Sequence, residues 1–134
     1  MMSMTTKIQH LALVVDDNPY NRDLSALSLR YIGFEVVEAE TGVQALEMLK
    51  KKKISLMVLD LAMPEMDGVT VLRKIRGLEA YIGMHIVVMT ANPHMITEDV
   101  SDQADLVIQK PIDVMEFSRF LRRLMDAPSH QIHP

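Results

Sequence analysis

Two short apolar runs, each ending in an acid, constrain this chain more than anything else in it: LALVVD from Leu11 to Asp16 and SLMVLD from Ser55 to Asp60. Neither alternates with polar residues, so each reads as a strand covered on both faces, as parallel sheets require. HIVVMT (His85–Thr90) is a third such run, and LVIQ (Leu106–Gln109) a short last one. Glu35–Glu38 is more polar, which suits a strand near a sheet edge.

Helix-period segments separate these runs. Asn18 can cap a helix that has Pro19 at its first position, with Leu24, Leu27 and Tyr31 recurring on one face and Gly33 as the stop. Thr41 with Gln44 spells a capping box before Ala45, Leu46, Met48 and Leu49. Lys50–Lys53 then read as a solvated helix end that suits the dipole. Asp67-Gly68 opens a third helix through Val69, Leu72 and Ile75 to Gly77. Asp113, with Glu116 three residues on, caps a last one through Phe117, Phe120, Leu121 and Leu124. Between Ala91 and Gln103 the periodicity is poor, and a short or irregular fourth helix is expected there. Five strand-then-helix units need right-handed crossovers, hence an α/β fold with a parallel sheet between two helical layers. Such sheets bind ligands at the carboxyl ends of their strands.

A chain of 134 residues, 49% hydrophobic, fits a single domain, here residues 9–126, with a flexible leader at 1–8 and a flexible tail at 127–134. A net charge of −4 argues against a nucleic-acid surface, and the absence of cysteine excludes disulfides and thiolate metal sites. No apolar run reaches membrane-spanning length, and Leu11–Val15 is too short for a signal-peptide core. The expectation is a cytoplasmic protein that touches neither nucleic acid nor membrane directly. The 12 methionines are best read as core fillers, since several fall in the strand runs.

The strand ends carry the chemistry. The first delivers Asp16-Asp17, the third Asp60, the fourth Thr90 and the fifth Lys110-Pro111. Three close carboxylates repel one another, and a hard divalent cation such as Mg²⁺ relieves that. A carboxylate facing a phosphoryl group can attack it, while Lys110 adds positive charge and Thr90 a hydroxyl donor. Each residue alone has a plainer reading, as a helix cap, a β-former or a solvated loop. Their coincidence on one rim favours the chemical one. His130 and His133, in the tail, are a weak metal pair and are set aside.

The motifs VVDDNPYNR (Val14–Arg22), VLDLAMPEMDG (Val58–Gly68), VVMTA (Val87–Ala91) and QKPI (Gln109–Ile112) make the chain resemble the receiver domains of bacterial response regulators and hybrid histidine kinases over about residues 9–126. The resemblance implies a flavodoxin-like sheet of order 2-1-3-4-5. It implies Asp60 as phospho-acceptor and Mg²⁺ (or Mn²⁺) on Asp17, Asp60 and the Ala62 carbonyl, with Asp16 acting mainly through water. Lys110 would hold the phosphoryl group and Thr90 would be the switch hydroxyl, while Ala62 and Asn92 would tune the lifetime of the phosphoryl group. The implied partners are a histidine kinase or histidine phosphotransfer protein and a downstream protein. The implied role is a signalling switch with self-catalysed phosphoryl transfer and dephosphorylation, not an enzyme. One departure stands out: Val107 occupies the place of the family's usual switch aromatic.

Two other classes fit less well. A dehalogenase-like phosphatase wants an acid two residues after its nucleophile, where this chain has Ala62. A flavodoxin-like electron carrier wants a hydroxyl-rich phosphate loop where this chain has Asp16-Asp17.

Overall fold

The computed structural model describes residues 10–64 and 67–126. The expected leader, the expected tail with His130 and His133, and Glu65-Met66 of the VLDLAMPEMDG motif lie outside the described residues. Elements follow in the order β1 (Leu11–Val15), α1 (Pro19–Tyr31), β2 (Glu35–Ala39), α2 (Gly42–Lys51), β3 (Leu56–Asp60), α3 (Gly68–Arg76), β4 (His85–Thr90), α4 (Glu98–Gln103), β5 (Leu106–Gln109) and α5 (Val114–Met125). Single 3₁₀ turns at Glu79–Tyr81 and Pro93–Met95 flank β4.

All four strand pairings are parallel, and the sheet order is β2-β1-β3-β4-β5. β1, β3 and β4 are central and buried almost throughout, which is why their sequences carry no polar alternation. β2 and β5 form the edges and are only partly covered. Successive side chains point to opposite faces, so the core divides in two. Leu13, Val15, Met57, Leu59, Ile86 and Val88 pack under α2, α3 and α4. Ala12, Val14, Leu56, Val58, Val87 and Met89 pack under α1 and α5, where they meet Leu29, Phe117 and Leu121. Emptying the Phe117 position would cost about 3–5 kcal/mol.

The caps form as the sequence suggests. Asn18, Thr41, Asp67 and Asp113 each accept a bond from the backbone N–H three residues on. In the capping box, however, the Gln44 side chain reaches back to the Glu40 N–H rather than to that of Thr41. The weakly periodic stretch holds the 3₁₀ turn and the six-residue α4, capped by Thr97.

One face is reversed. The buried side of α1 is Ser25, Ala26, Ser28 and Leu29, while Leu27 and Tyr31 point to solvent. Small residues let α1 settle close to the sheet and to α5, where the Ser118 hydroxyl donates to the Ser28 carbonyl at 3.2 Å. Tertiary packing overrides the apolar stripe.

Candidate functional site

Register brings the strand-end residues together. Val15 pairs with Leu59, so Asp16 stands beside Asp60. Asp60 pairs with Met89 and Thr90 with Gln109, so Thr90 and then Lys110 follow along the same rim. Backbone bonds beyond the strands hold these positions: Asp16 N–H to the Ala39 carbonyl at 3.1 Å, Leu61 N–H to Met89 at 2.9 Å, and Lys110 N–H to Thr90 at 2.9 Å. The Lys110–Pro111 peptide is cis.

Carboxylate oxygens of Asp16, Asp17 and Asp60 all lie within 4.8 Å of one another. Asp16 and Asp60 are buried and Asp17 is exposed, so the cluster opens to solvent on one side. The Lys110 ammonium sits 3.1 Å from Asp16 Oδ2 and 3.6 Å from Asp60 Oδ1. The other oxygen of Asp16 accepts the Asn18 N–H at 2.9 Å, and Asp60 Oδ1 accepts the Ala62 N–H at 3.2 Å. One cation therefore faces three anions. Burial, followed by the Asp16 charge, pushes the Asp60 carboxyl up to about 6, against the pull of Lys110 and the Ala62 N–H.

That shift has a measurable sign. Asp60 binds its proton more readily in the fold than in the unfolded chain, where its value is near 3.8. Its contribution to stability is complete below the unfolded value and is lost as pH rises through about 6. Urea unfolding in chelator at pH 5 and pH 7.5 should show metal-free protein losing on the order of 1 kcal/mol of stability across that window. Asp60→Asn should lose distinctly less over the same interval.

Thr90 is fully buried on the rim, and its hydroxyl is bonded within its own loop. It accepts the Asn92 N–H at 3.0 Å and lies 3.8 Å from Met95 Sδ. The structure thus gathers Asp16, Asp17, Asp60 and Lys110 and holds Thr90 beside them in another set of bonds. The side-chain oxygen of Asn92 accepts the His94 N–H at 3.0 Å.

One support went unread in the sequence. Arg22 donates to the Asp16 carbonyl at 2.8 Å and to Glu38 at 3.0 Å, tying the acidic turn to β2. Its place in the helix start hid that role, and only the proximity of the strand end could have suggested it. Gly68 lets α3 begin directly against the end of β3. An added Cβ would collide with the Asp60 carbonyl oxygen and lie 2.6 Å from Leu61 Cα, all of it rigid backbone. A cavity of about 440 Å³ lies at the opposite end of the sheet, lined by His10, Tyr81 and His85, and has no part in this rim.

Comparison with known proteins agrees with this geometry. The family model for the response regulator receiver domain matches residues 12–122. Chemotaxis protein CheY of Bacillus subtilis is 36% identical over 103 residues, covering 76% of this chain and 86% of that protein. The transcriptional regulatory protein GlrR of Escherichia coli is 34% identical over 82% of this chain, and the chain spans only 24% of its length. Among solved structures, response regulator TrrA of Thermotoga maritima, in complex with Mg²⁺ and BeF, aligns with a TM-score of 0.77 at 30% identity, covering 87% of this chain and 99% of that one. Among the described residues no helix is long and apolar enough to cross a membrane. The chain belongs to the response regulator receiver domain family, the signalling receivers of two-component systems.

Proposed function

We propose that Asp60 accepts a phosphoryl group from a histidine kinase or histidine phosphotransfer protein, and that residues 9–126 are the unit that does so. The carrying observation is the acid trio within 4.8 Å, with the Lys110 ammonium against two of its members. Such a cluster has too much negative charge for its single lysine, and its all-oxygen donor set suits a hard cation. Asp16, Asp17, Asp60 and the Ala62 carbonyl would hold Mg²⁺ or Mn²⁺. When bound, that ion offsets the charge of the carboxylates and of the incoming phosphoryl oxygens.

The chain's own groups do the rest. The Ala62 N–H and Lys110 fix one oxygen of Asp60, which presents the other to phosphorus. That oxygen bonds to phosphorus as the bond from phosphorus to the donor's imidazole nitrogen breaks, and the imidazole takes up a proton. Lys110 then shares its charge between Asp16 and the new phosphoryl oxygens. The Thr90 hydroxyl, held beside the rim by exchangeable bonds, is the group placed to turn toward them. Phosphorylation adds about −1.5 to −2 charges at the end of β3, which biases the surface built by α4, β5 and α5 toward a protein partner. Val107 replaces an aromatic there and already packs against the core under α3 and α4, so Thr90 carries the switch without a ring to follow it. Hydrolysis of the acyl phosphate would return the chain to its starting state, in a cytoplasmic setting where a kinase can reach it.

The test is phosphoryl uptake from acetyl phosphate. Intact-mass measurement should show one group gained per chain with Mg²⁺ and none with chelator. Mg²⁺ alone should also raise the unfolding temperature at pH 7.5, because it binds the folded trio and not the unfolded chain. Uptake that is indifferent to chelator would contradict the assignment.

A further inference from the structure

At the amino ends of the central strands the packing is left open. The cavity of about 440 Å³ lies there, bounded by the end of α2, the 3₁₀ turn at Glu79–Tyr81 and the end of α5. A volume of this size suits a small molecule rather than a single water. Its floor is apolar. Leu49, Ile54 and Met84 are buried, and Tyr81 joins them with its hydroxyl donating to the Leu49 carbonyl at 3.3 Å. Met84 and Met125 are unbranched, so this lining can adapt to a guest's outline.

The ionisable groups around that floor have one sign. Lys52 and Lys53 are exposed at its edge, and no Asp or Glu lines the cavity among the described residues. Two imidazoles complete the lining. His10 sets its Nδ1 3.3 Å from Ser55 Oγ. His85 is only 9% exposed, and its Nε2 is buried with no hydrogen-bond partner among the described residues. A buried nitrogen left unpaired is costly, and in a native fold it points to a partner still to come. Two ammonium groups and an orphaned imidazole around an apolar floor call for an acidic group on an apolar body.

We propose that this cavity binds a small organic anion, its apolar body on Leu49, Ile54, Tyr81 and Met84 and its acidic group drawn by Lys52 and Lys53. His85 supplies the buried hydrogen bond. The length of β3 separates Ser55 at the cavity from Asp60 at the rim, roughly 17 Å of extended chain. The anion therefore takes no part in phosphoryl transfer. It acts on the other end of the same sheet, since His85 opens and Thr90 closes one strand, β4.

The probe is anilinonaphthalene sulfonate, an aromatic body with one fixed negative charge. Titration of the full chain should show one dye bound with a Kd on the order of 10–100 µM, as ordinary ligand efficiency gives for its size. Phenylnaphthylamine, a similar body without the charge, serves as the neutral control. Lys52→Glu with Lys53→Glu should weaken the sulfonate about tenfold or more and leave the neutral dye unchanged. His85→Phe, which keeps the ring and removes the nitrogens, should also weaken the sulfonate. Ala80→Trp, at an exposed position on the cavity wall, should exclude both dyes with the far-ultraviolet circular dichroism unchanged. A parent that binds no sulfonate overturns the proposal, as does full sulfonate affinity in the lysine reversals or in His85→Phe. Binding that survives Ala80→Trp would place the dye on another surface, and the proposal falls. An empty cavity would leave uptake on Asp60 untouched, so the two readings fail separately.

Discussion

Asp60→Asn protein incubated with acetyl phosphate and Mg²⁺ should show no mass gain beyond the reagent blank, while the parent gains one phosphoryl group. The substitution changes little else. Asn has the same shape, and its carbonyl can still accept the Ala62 N–H that Asp60 Oδ1 accepts at 3.2 Å. Lys110 keeps its contact with Asp16 at 3.1 Å. What disappears is the anionic oxygen that must attack phosphorus, since a neutral amide is a poor nucleophile. The variant should also fold well. Removing the negative charge that burial and Asp16 hold in the acid form up to about 6 relieves repulsion at neutral pH, so its metal-free unfolding temperature should be equal to or above the parent's. Loss of uptake with stability preserved separates a chemical role from a structural one.

The second large effect lies away from the rim. Arg76 at the end of α3 is nearly buried and gives its guanidinium to four acceptors: the carbonyls of Gln103 at 2.7 Å, Tyr81 at 3.2 Å and Met84 at 3.1 Å, and Asp105 Oδ2 at 2.8 Å. The same Asp105 oxygen accepts the Ile86 N–H at 2.8 Å. Burial lowers the Arg76 pKa, and the charge and hydrogen bond of Asp105 draw it back. Arg76→Ala would take the guanidinium from the buried Asp105 carboxylate, which keeps the Ile86 N–H, and remove one donor from each of three carbonyls. The expected loss is about 3–5 kcal/mol, or on the order of 10–20 °C in unfolding temperature for a domain of this size. Arg76→Lys should rescue little, because one ammonium cannot reach acceptors spread around a planar fork. Urea unfolding of the three proteins measures this directly.

The acidic rim was legible in the sequence and the Arg76 network was not, for a physical reason. Asp16, Asp60 and Thr90 each close a run whose apolar character marks a central strand, Lys110 follows the short edge strand, and parallel register places successive strand ends side by side. Position in the motif therefore stands in for position in space. Arg76 and Asp105 are 29 residues apart on a helix end and a loop, and no local pattern links them. The strands His85–Thr90 and Leu106–Gln109 match their runs to the residue, because turn residues bound them closely. The side of α1 that faces the core did not follow from its pattern. Leu24, Leu27 and Tyr31 have helical spacing, but Ser25, Ala26 and Ser28 allow the closer approach, and the sheet and α5 select the small face. The bond that the Thr90 hydroxyl accepts from Asn92 is a loop geometry that strand spacing does not encode.

Asp60 as the acceptor is tested most directly by finding which carboxyl carries the phosphoryl group. Borohydride reduces an acyl phosphate to an alcohol and leaves free carboxylates intact, so peptide mapping of phosphorylated, reduced protein reads the modified position. Homoserine at residue 60, with Asp16 and Asp17 unchanged, is the expected result. Reduction at Asp16 or Asp17 instead, or a phosphorylated protein with no reduced carboxyl at all, would contradict it.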